Sequence, residues 1–218
     1  VTVPDSPERV HFDPAEMGAG AFYRVLNSVV VPRPIAWVCT RSAAGVHNLA
    51  PYSFYTVACV DPPIVQFTSV GRKDSLTNVE ETGEFTVSLA PVELFEQVNA
   101  GGTDFPPDLS EAELTGVRLE PSERVAALRV ADSPVSLECR LHSTLRLGDS
   151  TVVLGEVVHV AAHARVVRDG RPRIEELRPL ARLGGNEWTT VGELKEIRRI
   201  PYSTWEQDPS IGRALRGE

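Results

Sequence analysis

A chain of 218 residues with 42% hydrophobic content is long enough to close a full core and short enough to be one domain. Its net charge of −8 and pI near 5.2 leave no basic face of the size a nucleic-acid backbone demands, because each phosphate contact needs its own Lys or Arg. No apolar run approaches the roughly 20 residues that span a bilayer, and Asp5, Glu8, Asp13 and Glu16 stand where a leader would be basic and then apolar. The expectation is a cytoplasmic protein with neither nucleic acid nor membrane as partner.

In chain order, short β-branched runs with period-two alternation dominate: 28–40 (interrupted by Pro32-Arg33-Pro34), 47–59, 63–70, 84–90, 134–142 and 151–167. Six such runs predict a mainly β fold, a closed or nearly closed antiparallel barrel that removes exposed edges. Between them, Asp74 is placed to cap a helix over Ser75–Thr82 that Gly83 ends. A second helix is expected from Pro91, burying Leu94, Phe95 and Val98. Residues 100–133 show no sustained period and contain Pro106-Pro107. They read as a long excursion off the barrel with one helical turn at Glu111–Thr115, and excursions of that length are often functional. In the run 134–142, Val135, Leu137, Cys139 and Leu141 form an apolar face and Ser136, Glu138, Arg140 and His142 a polar one.

The three cysteines, Cys39, Cys59 and Cys139, are far apart and odd in number, which supports neither a disulfide framework nor a zinc site. Each sits where the alternation points a small apolar side chain inward. His159 and His163 lie in a strand-like run, where a spacing of four separates them by about 14 Å, so no metal site is expected. The chain lacks G-x-S-x-G, H-E-x-x-H, G-x-x-x-x-G-K-[ST], CxxC and G-x-G-x-x-G motifs.

What remains is a constellation suited to a phosphate and a ring. Segment 66–75, QFTSVGRKDS, runs from an apolar strand into a glycine, two cations and a helix start. Backbone N–H groups there, the Ser75 hydroxyl, Arg72 and Lys73 can converge on a phosphate; the alternative is a pair of solvated loop charges. Segment 47–55, HNLAPYSFY, is a strand broken by Pro51, which leaves backbone groups free to meet a heteroaromatic edge, or else is a plain edge strand. In 32–40, PRPIAWVCT, Trp37 is either core or a pocket wall.

The strings YRVLNSVVVPRPIAWVCTRS, NLAPYSFYTVACVDPP, GRKDSLTNVEETGEF, DSPVSLECRL, VVLGEVV and PLARLGGNEWTTVGE, in this order, resemble the flavin reductase-like family of FMN-binding split barrels. Within it they are most similar to the branch of flavoredoxins and nitrilotriacetate-oxidation reductase components. The resemblance spans residues 22–203 of a single domain over 1–218. It implies a six-stranded Greek-key split barrel, a homodimer, non-covalent FMN, and NADH or NADPH as electron donor, with hydride passing to flavin N5. It also implies an acceptor that is a monooxygenase or another redox protein.

By the same resemblance the ring and ribityl chain contact Arg33, Trp37, Val38, Thr40, Asn48, Ala50, Pro51, Tyr52 and Ser53, and the phosphate contacts Ser69, Arg72, Lys73 and Ser75. Trp188, in LGGNEW, stands where an aromatic lies near the cofactor. Two-component reductases of this kind commonly carry Gly-Asp-His where this chain has Gly148-Asp149-Ser150. That departure keeps open a second reading, a flavin carrier that takes electrons from a protein partner.

Overall fold

The β-branched runs assemble into one seven-stranded antiparallel sheet in the computed structural model, which describes residues 8–208 and 210. Asp5 lies outside these residues. The strands are β1 (Ala36–Arg41), β2 (His47–Tyr52), β3 (Tyr55–Cys59), β4 (Ile64–Val70), β5 (Glu84–Leu89), β6 (Val135–Leu147) and β7 (Ser150–Ala162). They pair in the order β2-β1-β5-β6-β7-β4-β3. The sheet curls until β2 approaches β4, leaving a split barrel that is open along that seam. The expected run 47–59 is two strands because the chain turns at Ser53-Phe54, which raises the count from six to seven.

The run expected as a strand from residue 28 begins instead as the end of a helix, α1 (Ala19–Val29). Phe22, Val25, Leu26 and Val29 recur at helical spacing, and Val25 and Val29 to Val31 imitate a strand by composition. Val29 is therefore an exposed helix residue, whereas Ile35, just before β1, is buried. Among the described residues no helix is long and apolar enough to cross a membrane.

Two cores meet on opposite faces of β1. Ala36 and Val38 point into the barrel with Tyr52, Val65, Phe67, Phe85, Cys139 and Val153. Trp37 and Cys39 point outward, into a second core with Leu49, Val98, Ala112, Val117 and Val130. A strand buried on both faces reads as a continuous apolar run, as Ala36–Cys39 does before Thr40 and the exposed Arg41. Cys39 and Cys139 are buried as expected, and burial pushes both thiols up to about 12. Cys59 is only half-buried, at a register shift between β3 and β4.

The second core exists because residues 100–133 do not leave the barrel; they fold over its outer face. The polar side chains of β5 and β6 are the attachment points. Thr86 donates to the Leu128 carbonyl at 2.7 Å, the Val130 N–H donates to Ser88 Oγ at 3.1 Å, and Ser88 bonds Ser136 at 2.9 Å. Glu138 is fully buried and accepts from the N–H groups of Glu123 (2.9 Å) and Arg124 (2.6 Å), from Arg129 (3.2 Å), and pairs with His159 Nδ1 at 3.1 Å. The polar face expected on 134–142 is thus buried around Ser136 and Glu138, since an overlying segment rich in backbone donors satisfies it.

One position measures how tightly the barrel is packed. A Cβ on Gly155 of β7 would lie 2.2 Å from Phe85 Cζ and 3.3 Å from Cys139 Cβ. Phe85 is fully buried and has no free direction to retreat. Gly155→Ala is expected to destabilise the protein by about 1–3 kcal/mol, lowering Tm by about 2–4 °C per kcal/mol for a chain of this size. Thermal unfolding checks this, and Phe85→Leu in the same chain should recover part of the loss; an unchanged Tm would mean the ring has room to move.

Candidate functional site

The seam of the split barrel opens into a cavity of about 400 Å³, within the range of small-molecule sites. Its floor is β2, through Asn48, Ala50, Pro51 and Tyr52, continued by Ser53 and Phe54; Thr68 and Val70 of β4 face them. One end is the start of α2 (Asp74–Thr82), with Arg72, Lys73, Asp74 and Ser75. The excursion closes the top with Gly101 to Phe105 and with Glu111, from α4 (Glu111–Thr115), while Tyr23 of α1 completes the wall. α3 (Phe95–Ala100), preceded by a 3-10 turn at Val92–Leu94, delivers the glycines. Of the residues expected in the second helix, Val98 is fully buried whereas Phe95 is exposed.

α2 starts one residue earlier than expected: Lys73 holds the N-cap position and Asp74 is the first helical residue. Lys73 supplies no side-chain cap, so the first-turn N–H groups beside the cavity keep their donor capacity and their partial positive charge. Gly83 ends the helix in the left-handed region, φ +72°, as expected.

The cations at this end already have partners. Arg72 bonds Glu80 at 2.7 Å and Lys73 bonds Asp104 at 2.8 Å, across the cavity mouth. The Asp104 hydrogen bond raises the Lys73 ammonium, and Lys73 holds the Asp104 carboxyl below its usual range. Both pairs are solvent-exposed and hence weak, so an incoming dianion exchanges partners at small cost. Ser75 donates its hydroxyl proton to Asn48 Oδ1 at 2.6 Å, and Asn48 Nδ2 donates to Glu111 Oε1. Glu111 Oε2 accepts the Leu49 N–H at 2.9 Å. Burial raises the Glu111 carboxyl, with the Leu49 N–H opposing that shift.

Tyr52 is 7% exposed, and among the described residues its hydroxyl has no hydrogen-bond partner although it lies beside Ser69 and Ser75. A buried unpaired donor costs free energy unless something meets it. Together with an uncapped helix start, two weakly held cations and the aromatic rings of Tyr23, Phe54 and Phe105, it fits a flat, phosphorylated, heteroaromatic group such as FMN.

Of the residues singled out from sequence, Asn48, Ala50, Pro51, Tyr52, Ser53, Arg72, Lys73 and Ser75 share this cavity wall. The others are placed elsewhere. Ser69 is buried behind the wall and donates to the Gly71 carbonyl at 2.9 Å. Trp37 and Val38 belong to the two cores, and the buried Thr40 hydroxyl accepts from Asn78 Nδ2 at 3.0 Å. Arg33 is a clasp: it donates to the carbonyls of Asn27 (2.6 Å), Val30 (2.9 Å) and Leu183 (2.8 Å), tying the end of α1 to the LGGNEW segment. Leu183 to Glu187 line a separate cavity with Ser28 and Val31. Trp188 packs edge-on against Phe95, with the Arg182 guanidinium 4.5 Å from its ring centre.

Sequence reasoning missed Glu111, Tyr23, Phe54 and Phe105. The excursion's length was a signal that it bears on function, but an acidic residue in a polar stretch gives no sign of burial.

Residues 28–175 match the model of the flavin reductase like domain. An uncharacterised protein of Deinococcus radiodurans is 37% identical over 210 residues, covering 90% of this chain and 92% of the relative. Among solved structures, nitrilotriacetate monooxygenase component B from Bacillus cereus superposes with a TM-score of 0.85 at 29% identity, over 88% of this chain and 100% of that one. The Pseudomonas fluorescens 2-nitrobenzoate 2-nitroreductase gives 0.82 at 28% identity, over 88% and 96%. By this match, and in keeping with its split barrel, the chain belongs to the flavin reductase-like family.

Proposed function

We propose that this chain is an oxidoreductase that binds FMN non-covalently in the seam cavity and passes electrons from NADH or NADPH to an acceptor, a monooxygenase or another redox protein. The observation that carries the reading is the convergence, in one cavity, of the end of edge strand β2 and the turn at Ser53 with Arg72, Lys73 and the uncapped start of α2. Bound FMN supplies the hydride-accepting ring. The protein's part is then binding and orientation, which accords with a sequence that has no catalytic triad or carboxylate pair. Backbone groups from Ala50 to Ser53 hold the ring edge, and Arg72, Lys73 and the α2 N–H groups hold the phosphate. A single phosphate cluster favours FMN over FAD.

The second reading, a carrier with little nicotinamide chemistry, has one observation in its favour. Ser150 pairs in register with Val70 on the cavity wall, and its hydroxyl is turned to Asp149 at 2.8 Å. No imidazole stands there to meet a nicotinamide. Cofactor released by heat from the purified protein is expected to run as FMN on chromatography, and anaerobic NADH or NADPH is expected to bleach its visible absorption. Recovery of mostly FAD would refute the cofactor assignment. Bleaching by dithionite but by neither nicotinamide would select the carrier.

A further inference from the structure

The chain of hydrogen bonds from Glu111 through Asn48 to Ser75 runs in one direction, and that direction conflicts with phosphate binding. Ionised Glu111 is acceptor-only, so Asn48 must turn its Nδ2 donors toward it, leaving Oδ1 to receive the proton of Ser75. Ser75 then presents only lone pairs to the cavity. A phosphate dianion is also acceptor-only, so these lone pairs repel it.

Protonation of Glu111 reverses every link without breaking any. The carboxyl O–H donates to Asn48 Oδ1, the amide turns over, Nδ2 donates to Ser75 Oγ, and the Ser75 proton is released toward the cavity. Glu111 Oε2 still accepts the Leu49 N–H, 2.9 Å away. We propose that binding of a phosphomonoester dianion beside Ser75 is coupled to uptake of one proton by Glu111, with Asn48 as the reversible relay between them. The inference rests on the proposed FMN site and adds to it a residue, Glu111, contributed by the excursion.

The surroundings support uptake at Glu111. The residue is 5% exposed, and burial already favours its neutral form. Asp74 of α2 faces it and favours the neutral form further, as the buried Cys39 thiol of β1 lies near without carrying charge. Arg72, Lys73 and Asp104 line the same cavity, with Lys73 and Asp104 paired to each other. Tyr52 of β2 stays neutral because burial raises it, and His47 borders the neighbouring cavity on the far side of α4, where burial and Arg41 disfavour its charged form. Among the described residues no cation pairs with the Glu111 carboxylate to hold it ionised.

The sign follows from linkage. Uptake on binding makes FMN affinity rise as pH falls from about 8 to about 6.5, above the phosphate's own second ionisation near pH 6. Riboflavin, which lacks the phosphate, gains nothing. Glutamine at 111 reproduces the protonated arrangement, its amide N–H donating to Asn48 Oδ1 and its oxygen accepting from Leu49. Glu111→Gln is therefore expected to bind FMN up to about tenfold tighter than the unmodified protein at pH 8, about the worth of one hydrogen bond to a charged group, and to lose the pH dependence.

Calorimetric titration of FMN at pH 8 in two buffers of different ionisation enthalpy counts the protons directly. The expected result is net uptake by the unmodified protein, none with riboflavin, and none for FMN in Ser75→Ala or Glu111→Gln. Zero uptake by the unmodified protein with FMN still preferred over riboflavin overturns this inference alone, and so does a Glu111→Gln protein, folded by circular dichroism, that binds FMN more weakly. FMN bound no more tightly than riboflavin overturns the underlying phosphate assignment as well. Because the proton count needs no variant, poor folding of Glu111→Gln leaves the inference open to refutation.

Discussion

Glu138→Ala is expected to destabilise the protein by about 3–5 kcal/mol, the cost of stripping one partner from a buried charged cluster. The carboxylate is fully buried and serves the N–H groups of Glu123 and Arg124 at once, so its removal orphans two backbone donors as well as a face of Arg129. Arg129 keeps Glu120 at 2.8 Å and His159 is partly exposed, which places the loss toward the lower end. Burial alone would raise this carboxyl, but the two N–H donors and His159 outweigh it and hold it below its ordinary range. Its contribution is therefore complete above pH 4.5, the unperturbed value, and fades as the pH falls through the lower folded value. Denaturant unfolding at pH 7 and pH 4 would show this as a large gap between Glu138→Ala and the unmodified protein that narrows in acid. A gap under about 1 kcal/mol at pH 7, the size of an ordinary surface effect, would mean that the excursion is anchored elsewhere.

Lys73→Ala should cut FMN affinity by roughly 10- to 150-fold, because a hydrogen bond to a charged group contributes about 1.5–3 kcal/mol and every 1.4 kcal/mol is a factor of ten. Two changes act together. The phosphate loses a cation at the start of α2, and Asp104, which Lys73 neutralises at 2.8 Å, becomes an uncompensated negative charge at the cavity mouth. Riboflavin affinity should hardly move. Fluorescence titration of both ligands decides the matter: a solvated-loop role predicts small effects on both, and a folding defect predicts losses on both. Equal losses would place the phosphate in another loop.

How much of this was legible follows from how local each feature is. The gathering of Arg72, Lys73 and Ser75 at one end of the cavity was readable because a strand, a glycine, two cations and a helix start fall within ten residues, 66–75. The strand over 47–52 was legible, but the break expected at Pro51 was not borne out: β2 is an edge strand that pairs with β1 without interruption through Pro51, where a proline is tolerated, and the chain turns only at Ser53-Phe54. α1 was not legible, because valines at helical spacing are also β-branched and their composition prevailed over their period. The burial of Ser136 and Glu138 was not, because alternation reports which face is polar but not what lies over it. Glu111 was hidden for the same reason: its burial depends on residues 48 and 49, more than sixty positions away, and no spacing within the excursion encodes that contact.

The attachment of residues 100–133 decides which of its positions tolerate substitution. Thr86, Ser88 and Glu138 grip main-chain atoms of Leu128, Val130, Glu123 and Arg124, and main-chain atoms are the same whatever the residue. Exposed side chains such as Glu123 and Arg124 can therefore change without loosening the mooring, whereas Ala112, Val117 and Val130 are fixed by the second core they fill. The segment is thus moored through atoms that mutation does not alter and varied through side chains that it does.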